Sequence, residues 1–282
     1  MMTIRQAISL GKTALQSVPD PELDAVALLS AATGDAPMTL RLKARESLTP
    51  EQEERFRSLL LLRGTRQPLQ YVLGTQCFYG FDFTVDARVL IPRQETETLC
   101  ELALSCLQGM EAPRVADVCT GSGAIAVTLK RLCPQAAVTA TDMSWDALTL
   151  AQHNAKQNGA DVRFLQGDLL QPLAGQTFDL IVSNPPYIET QACDTLQPEV
   201  RFEPRLALDG GADGLVFYRR LAAEAPALLT AGGSLMVEVG DGQAQAVAGL
   251  LAAGGLITQA SIHRDLYGKE RFVAARRDAF PT

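Results

Sequence analysis

The strongest constraint on the fold is a repeated alternation of short apolar runs and amphipathic segments from about residue 94 onward. Alternation of strands and helices predicts an α/β domain with a mostly parallel sheet covered on both faces. A helix is predicted from Glu95 to Leu107. The strands are predicted at Arg114–Val118, Ala137–Thr141, Val162–Gln166, Phe178–Ser183, Gly233–Val239, near Gly255–His263, and at Arg271–Arg276. The last two lie close together, which predicts an antiparallel hairpin at one edge.

The N-terminal part has a different pattern. Residues 3 to about 66 carry apolar side chains at helical spacing, interrupted by Pro- and Gly-containing breaks, which predicts several short helices. Thr49 followed by Pro50 predicts an N-cap and a first helical position. From Gln70 to residue 91, aromatic and β-branched residues alternate around glycines, which predicts a hairpin or two short strands.

These patterns predict three segments. Residues 1–68 are expected to form a small helical bundle, residues 69–92 a β-hairpin connector, and residues 93–282 a catalytic domain. The bundle has two interpretations, a role in substrate recognition and a purely stabilising cap.

The charge distribution argues against a long nucleic-acid footprint. The net charge is −7, and basic and acidic side chains are balanced before residue 90, so the acidic excess lies in the predicted catalytic domain. A duplex footprint requires clustered Lys and Arg to neutralise phosphates. We therefore expect no direct contact with nucleic acid.

Targeting and metal-binding patterns are also missing from the sequence. The N-terminus lacks the layout of a signal peptide, and no apolar stretch has spanning length, which predicts a cytoplasmic protein without a membrane partner. The six cysteines form no C-x-x-C pair and the two histidines are scattered, so we expect reduced thiols and no metal site. We expect a monomer.

A glycine-rich turn after the first predicted strand indicates a nucleotide site. The strand reaches Asp117, and the turn contains Cys119, Thr120, Gly121, Ser122 and Gly123. Glycines permit a tight turn and close approach of a ligand to the backbone, and the following helix N-terminus offers free N–H groups. By itself such a turn fits a dinucleotide as well as S-adenosylmethionine.

Acidic residues end the next two units. Asp142 closes the second predicted strand, where a carboxylate can accept hydrogen bonds from both ribose hydroxyls. Asp168 follows the third, where it can meet an adenine amino group while Leu169 covers a ring face. Ligands bind outside the carboxyl ends of such strands, so the three sites predict one pocket. The turn lacks the third glycine of the dinucleotide fingerprint, which favours S-adenosylmethionine.

The fourth predicted strand runs directly into Asn184-Pro185-Pro186-Tyr187. The prolines fix φ and carry no N–H, so nearby carbonyls stay free to accept hydrogen bonds. Together with the Asn184 amide and the Tyr187 ring, they suit a planar substrate whose NH2 group is turned toward an electrophile. A Pro-rich turn without chemical function is the other interpretation of such a short motif. A hydride transferase has no evident need of an amide clamp beside its nucleotide.

Taken together, these segments resemble the class I S-adenosylmethionine-dependent methyltransferases. Within them, the chain resembles the bacterial enzymes that methylate a glutamine of peptide chain release factors. The resemblance spans nearly the whole chain and is carried by Pro21–Ala25, Pro68–Gly74, Val89–Glu97, the glycine loop, Asn184–Ile188, Glu203–Leu208, Asp213–Leu215 and Tyr267–Arg271. One departure is Cys119, where many relatives have glycine.

The resemblance implies a seven-stranded Rossmann-like sheet with an antiparallel last strand. It implies methyl transfer from S-adenosyl-L-methionine to the side-chain nitrogen (N5) of the glutamine in the Gly-Gly-Gln motif of release factors, leaving S-adenosyl-L-homocysteine. The Asn184 oxygen and the Pro185 carbonyl accept the two N–H bonds, with Tyr187 packed on the substrate amide and Pro186 beside it. The implied donor-binding residues are Asp117, Cys119, Thr120, Gly121, Ser122, Gly123, Asp142, Asp168, Leu169 and Asn184.

Other functions remain open at this point. A ribosomal-protein glutamine is an alternative acceptor, and the same clamp fits adenine-N6 methylation of nucleic acid, which requires a flipped base and a basic track. A non-enzymatic sensor of S-adenosylmethionine is disfavoured by the intact Asn-Pro-Pro-Tyr. The segments Pro92–Glu97 and Glu203–Asp213 are expected to line the substrate entrance, although Arg93 and Glu95 have an equal claim to being a structural ion pair.

Overall fold

A computed structural model describes residues 1–253 and 257–278 of the chain. Two compact units can be distinguished. Residues 1–75 and 197–202 form the first unit, and residues 76–196 with the chain from residue 203 onward form the second. The sequence-based division at residues 68 and 92 remains a prediction.

The first unit is helical. Its helices are α1 (Ile4–Ala14), α2 (Pro21–Thr33), α3 (Pro37–Leu42), α4 (Pro50–Gly64) and α5 (Leu69–Leu73). The predicted N-cap at Thr49 is confirmed, because its hydroxyl accepts a hydrogen bond from Gln52 N and the Gln52 side chain accepts one from Thr49 N, a reciprocal capping box. Phe56, Leu28 and Leu29 are fully buried in the core of this unit.

An ion-pair network joins the later segment to this unit. Glu199 accepts hydrogen bonds from Arg66 at 2.7 and 2.6 Å and from Arg63 Nη1 at 3.1 Å. Arg63 is buried and also pairs with Asp24 at 2.6 Å. The hydrogen bond from Arg66 and the nearby positive charge lower the pKa of Glu199 to about 2. Residues 197–202 are thus tied to this unit by charge.

The prediction of strand structure from Gln70 is wrong at its beginning, because Leu69–Leu73 is helical. Pro68 precedes this turn of helix, and Gly74 ends it in the left-handed conformation (φ +75°), donating its N–H to Gln70 O. The hairpin itself is confirmed as β1 (Thr75–Phe78) and β2 (Phe81–Thr84). Both residues of its turn, Tyr79 and Gly80, have positive φ, as tight hairpins require.

The second unit contains a sheet of seven strands within the described residues, in the order β5-β4-β3-β6-β7-β9-β8. Its elements are α6 (Glu95–Leu107), β3 (Arg114–Val118), α7 (Ala124–Leu132), β4 (Ala137–Asp142), α8 (Trp145–Gln157), β5 (Arg163–Gln166), β6 (Phe178–Ser183), α9 (Val216–Leu228), β7 (Leu229–Glu238), α10 (Ala244–Ala252), β8 (Ile257–Arg264) and β9 (Glu270–Arg277).

Strands β3 to β7 are parallel, while β9 is antiparallel to both of its neighbours. This confirms the predicted α/β fold with an antiparallel last strand in an edge hairpin. Of the predicted strand near Gly255–His263, Gly255 and Leu256 lie outside the described residues. Strands β3 and β6 are buried apart from Arg114 and Asp179, which explains their nearly continuous apolar sequences.

The register of the strands places their carboxyl ends at one edge of the sheet. Val118 at the end of β3 is paired with Thr141 of β4 and with Ser183 of β6, and Ser183 is paired with Val237 of β7. Asn184, directly after β6, therefore lies beside Glu238, the last residue of β7. Among residues 1–253 and 257–278, no helix is long and apolar enough to cross a membrane.

Candidate active site

A cavity opens at the carboxyl ends of β3 to β6. It encloses about 1020 Å³, part of it open to solvent. Predicted site residues in its lining are Cys119, Thr120, Gly121, Ser122, Asp142, Asp168, Leu169, Asn184 and Pro186. The structure therefore brings together the ends of four strands that are separated in the sequence, as a nucleotide pocket at such an edge requires.

The glycine loop is shaped by a buried carboxylate behind it. Asp117 Oδ2 accepts hydrogen bonds from Thr120 Oγ1 at 2.6 Å and from Ala126 N at 3.1 Å. Asp117 and Gly123 are absent from the cavity lining in the part of the chain that the structure describes. Burial raises the pKa of Asp117 to about 7, and the hydrogen bonds from Thr120 and Ala126 oppose that shift. Asp117 thus supports the loop from behind.

Two residues of the lining have a strained backbone. Cys119 has φ +63° and Leu169 has φ +49°, in the left-handed region that favours glycine. This conformation gives the physical reason why glycine suits the position of Cys119. The Leu169 carbonyl accepts a hydrogen bond from the buried Thr141 hydroxyl at 3.0 Å, which ties the two strand ends together. Such outliers cluster at ligand sites.

Asp142 is fixed by backbone donors. Its Oδ2 accepts from Gly121 N at 2.9 Å and its Oδ1 from Ser144 N at 2.9 Å. Each carboxylate oxygen has a further lone pair, so both oxygens can still accept from a ribose diol. Burial raises the pKa of this carboxyl, and the backbone hydrogen bonds oppose that shift. The cavity, the glycine loop and this carboxylate together fit a nucleoside-containing ligand such as S-adenosylmethionine.

Asp168 has a partner that the sequence did not reveal. Arg220 of α9 makes a bidentate pair with it, both N–O distances being 2.9 Å. The guanidinium holds the carboxylate in one orientation at the rim of the cavity, next to Leu169. No local signal points to Arg220, because its partner lies 52 residues away.

At the opposite end of the cavity, the Asn184 side chain is held by Thr96. Asn184 Nδ2 lies 3.3 Å from Thr96 Oγ1, and Thr96 Oγ1 lies 2.6 Å from Glu238 Oε2. Glu238 is buried at the end of β7. Burial raises the pKa of Glu238 to about 7, whereas the hydrogen bond from Thr96 and the charges of Arg271 and Arg93 act in the opposite direction.

Pro185 and Tyr187 are two more predicted site residues that, within the described residues, do not belong to the cavity lining. Pro185 is buried, and the Tyr187 ring packs against the apolar core of the sheet. Burial raises the pKa of the Tyr187 phenol to about 12, and its carbonyl accepts from Gln243 Nε2 at 3.0 Å. The roles predicted for these two residues remain predictions.

The two predicted entrance segments both contribute to the cavity. Pro92 and Arg93 line it from one side, and Pro204, Leu206 and Ala207 from the other. Arg93 Nη2 lies 2.6 Å from the buried Glu203, so the ion pair of Arg93 is with Glu203 rather than with the predicted partner Glu95. The pair links the two segments, because Arg93 belongs to one and Glu203 to the other. Glu203 also accepts a hydrogen bond from Ile91 N at 3.3 Å.

Several lining residues were not predicted individually. They include Phe78, Arg88, Thr96, Met143 and Phe217. Thr96 lay inside the segment that carried the family resemblance, but nothing in that segment indicated its contact with Asn184. Among residues 1–253 and 257–278, no group of three or more His, Cys, Asp or Glu could hold a metal ion.

Two family models and several known proteins match the chain. Residues 6–74 match the model of the PrmC N-terminal domain, and residues 93–201 match the methyltransferase small domain. A release factor glutamine methyltransferase of Geobacter sulfurreducens is 45% identical over 97% of this chain and 96% of its own length. That of Deinococcus radiodurans is 47% identical over 92% of each chain.

A solved structure supports the fold. The hMettl16 catalytic domain, in complex with MAT2A 3′UTR hairpin 1, aligns with a TM-score of 0.60 and 15% identity, covering 90% of this chain and 91% of that one. At this level of identity, the similarity concerns the fold alone.

Proposed function

The chain belongs to the family of release factor glutamine methyltransferases, and we propose that it methylates the side-chain amide nitrogen of a glutamine in peptide chain release factors. The acceptor is the glutamine of a Gly-Gly-Gln motif. The methyl donor is S-adenosyl-L-methionine, and the match of residues 93–201 to a methyltransferase domain model supports methyl transfer. The alternatives, a ribosomal-protein glutamine and an adenine of nucleic acid, differ only in the acceptor and are decided by the same assay.

One observation carries this proposal. The Asn184 carboxamide lines the same cavity as the glycine loop and Asp142. An acceptor NH2 group held by Asn184 therefore shares one cavity with a nucleoside held by Asp142. Position and orientation within one site can contribute several kcal/mol to lowering a barrier without a charged base.

The residues of the chain act on the acceptor by hydrogen bonding. A glutamine amide nitrogen is a poor nucleophile because its lone pair is delocalised into the carbonyl. The Asn184 oxygen and the Pro185 carbonyl would accept its two N–H bonds, holding the nitrogen in one orientation, and Tyr187 would pack on the amide plane. The nitrogen becomes acidic only after alkylation, so its proton leaves late and no histidine base is required.

The methyl donor would be held at the other end of the cavity. Asp142 would accept from the ribose hydroxyls, and Asp168 with Leu169 would contact the adenine. Cys119 to Gly123 would surround the methionine part, supported by Asp117. When bound, S-adenosyl-L-methionine supplies an electrophilic methyl group on a sulfonium sulfur, which leaves as the neutral thioether of S-adenosyl-L-homocysteine.

The first unit is proposed to recognise the release factor. The match of residues 6–74 to a domain model of this family supports a role specific to the family rather than a general stabilising cap. We further propose that the enzyme acts in the cytoplasm as a monomer without direct contact with nucleic acid. The acidic excess after residue 90 supports the last point.

A methylation assay with competing acceptors tests the proposal. The protein is incubated with methyl-labelled donor and, separately, with a release factor, ribosomes and DNA, and the label is located by mass spectrometry. We expect label on the glutamine of the Gly-Gly-Gln motif, and none on a release factor in which that glutamine is replaced by alanine. Label on ribosomal protein or on DNA, with none on the release factor, would overturn the choice of acceptor.

A further inference from the structure

Thr96 and Glu238 form a chain of hydrogen bonds that ends on Asn184. Thr96 lies in the first turn of α6, Asn184 directly after β6, and Glu238 at the end of β7. The Thr96 and Glu238 side chains are buried, with 4% and 2% of the residue exposed. Within the described residues, Thr96 belongs to the cavity lining and Glu238 does not, so the hydrogen bonds lead from the cavity wall into the protein interior.

The direction of these hydrogen bonds follows from the chemistry of the groups. Above its raised pKa of about 7, Glu238 is ionised and has no proton, so it accepts and the Thr96 hydroxyl donates its single proton to it. The O–O distance of 2.6 Å is in the range of hydroxyl donors to carboxylates. Thr96 Oγ1 can then only accept from its other neighbour, which is the Asn184 amide at 3.3 Å.

This direction fixes the orientation of the Asn184 amide. The oxygen and the NH2 group of a carboxamide point to opposite sides, and rotation about the last side-chain bond has broad, roughly two-fold preferences. With its NH2 group on Thr96, Asn184 presents its oxygen on the other side. The reverse orientation would place the Asn184 NH2 group against the NH2 group of an acceptor, where neither can accept a hydrogen bond.

We propose that Thr96 and Glu238 are positioning residues, which set the Asn184 amide with its oxygen toward the methyl-accepting nitrogen. This inference rests on the proposed function for its consequence in catalysis. The orientation of Asn184 itself is a property of the protein without acceptor. The two aspects can therefore be measured separately.

The kinetic arm uses full-length protein with the Thr96→Val substitution, which keeps the shape of the side chain and removes the hydroxyl. We expect kcat for release factor methylation to fall roughly tenfold or more, with KM for the release factor and Kd for the donor changed by less than about twofold. Thr96→Ser keeps the hydroxyl and is expected to restore most of kcat. If Thr96→Ser loses as much kcat as Thr96→Val, or Thr96→Val keeps wild-type kcat, the inference is wrong.

The matched control is Thr128→Val. Thr128 is also fully buried, in α7, but its hydroxyl has no hydrogen-bond partner. The same substitution there is expected to leave kcat unchanged. If Thr96→Val fails to fold, Glu238→Gln tests the inference instead. Either the oxygen or the NH2 group of a glutamine amide can face Thr96, so the direction of the hydrogen bonds is no longer imposed. A severalfold loss of kcat is then expected, and wild-type kcat would refute the inference.

The second arm requires no acceptor. The side-chain amide signals of Asn184 are followed by NMR in protein labelled with ¹⁵N-asparagine, and assigned with Asn184→Ala. We expect the chemical shifts of both signals to change in Thr96→Val and to remain as in the wild type in Thr128→Val. Unchanged Asn184 signals in Thr96→Val would refute the positioning role. If the wild type methylates no release factor while these signals move as expected, the proposed function fails and the positioning role stands.

Discussion

At the glycine-loop end of the cavity, side chains are held mainly by groups close in the sequence, whereas at the Asn184 end they are held by residues from distant elements. Asp117 and Thr120 are 3 residues apart, and Asp142 and Ser144 are 2 apart. Thr96 is 88 residues from Asn184 and 142 from Glu238. We refer to the first region (Asp117 to Gly123, Asp142 and Asp168) as the nucleotide end and to the second (Asn184, Thr96 and Glu238) as the clamp end.

The difference matches the task of each end. A donor of fixed structure can be bound by a local loop with backbone donors, which any strand–turn–helix unit supplies. An amide that has to be oriented within a fraction of an ångström is better supported by buried side chains on rigid elements. Changes at the nucleotide end should therefore alter donor affinity, and changes at the clamp end should alter the rate.

The largest effect is expected for Asn184→Ala. Loss of the amide oxygen removes an acceptor that holds the reacting nitrogen, so kcat should fall by about 10²–10³-fold, as for the loss of other preorganised polar groups. The donor Kd, measured by calorimetry, should change by less than about threefold. Asn158→Ala, at the C-cap of α8 and outside the cavity lining, serves as the control. Wild-type kcat in Asn184→Ala would remove the distinction between the two ends.

Asp142→Ala should have the opposite signature. Loss of one hydrogen bond to a charged acceptor already corresponds to roughly 10- to 100-fold weaker donor binding. At saturating donor, kcat is expected to stay within a few-fold of wild type. Asp161 is exposed, and Asp161→Ala serves as the control because it removes the same charge. A large loss of kcat with unchanged donor Kd would contradict the assignment of Asp142 to the nucleotide end.

Each end contains one buried carboxyl whose pKa is raised to about 7, Asp117 at the nucleotide end and Glu238 at the clamp end. A raised pKa in the folded state means that folding is favoured by protonation, so this stabilisation is fully present below the ordinary carboxyl pKa. It is lost as pH rises through about 7. Unfolding of the donor-free protein should therefore become easier between about pH 5.5 and pH 8, by on the order of 1–2 kcal/mol per group.

The two carboxyls can be separated by substitution. Thermal unfolding at both pH values is compared for wild type, Asp117→Asn and Glu238→Gln. Each substitution should reduce the pH dependence of Tm, because the side chain that replaces the carboxyl does not titrate. An unchanged pH dependence in either variant would show that its carboxyl is not the titrating group.

The smallest effect is expected for Cys119→Gly. Cys119 has φ +63°, where glycine is unstrained, so the substitution should stabilise the donor-free protein by up to about 1 kcal/mol in urea unfolding. Cys77→Gly, in strand β1, is the control and should destabilise the protein by roughly 0.5–1 kcal/mol. A loss of stability in Cys119→Gly would show that the thiol packing outweighs the backbone strain.

Sequence patterns alone determined much of the architecture. The limits of β3, β6 and α6 agree with the predicted ones, and the capping box at Thr49 and the antiparallel edge hairpin were both expected. Strands buried on both faces produce apolar runs, and caps and turns require particular residue types within a few positions. The glycine loop was predictable for the same reason, since Asp117 holds it through contacts to Thr120 and Ala126, which are 3 and 9 residues away.

Only the tertiary structure decided which distant side chains meet. The pairs Arg220 with Asp168, Arg93 with Glu203, and Thr96 with Glu238 join separate elements. Leu69–Leu73 forms a helix with Pro68 at its N-cap and Gly74 at its C-cap, although its composition favoured a strand. Such contacts depend on strand order and register, which bring Asn184 beside Glu238. A sequence motif specifies the chemical group, whereas the sheet specifies what holds that group in place.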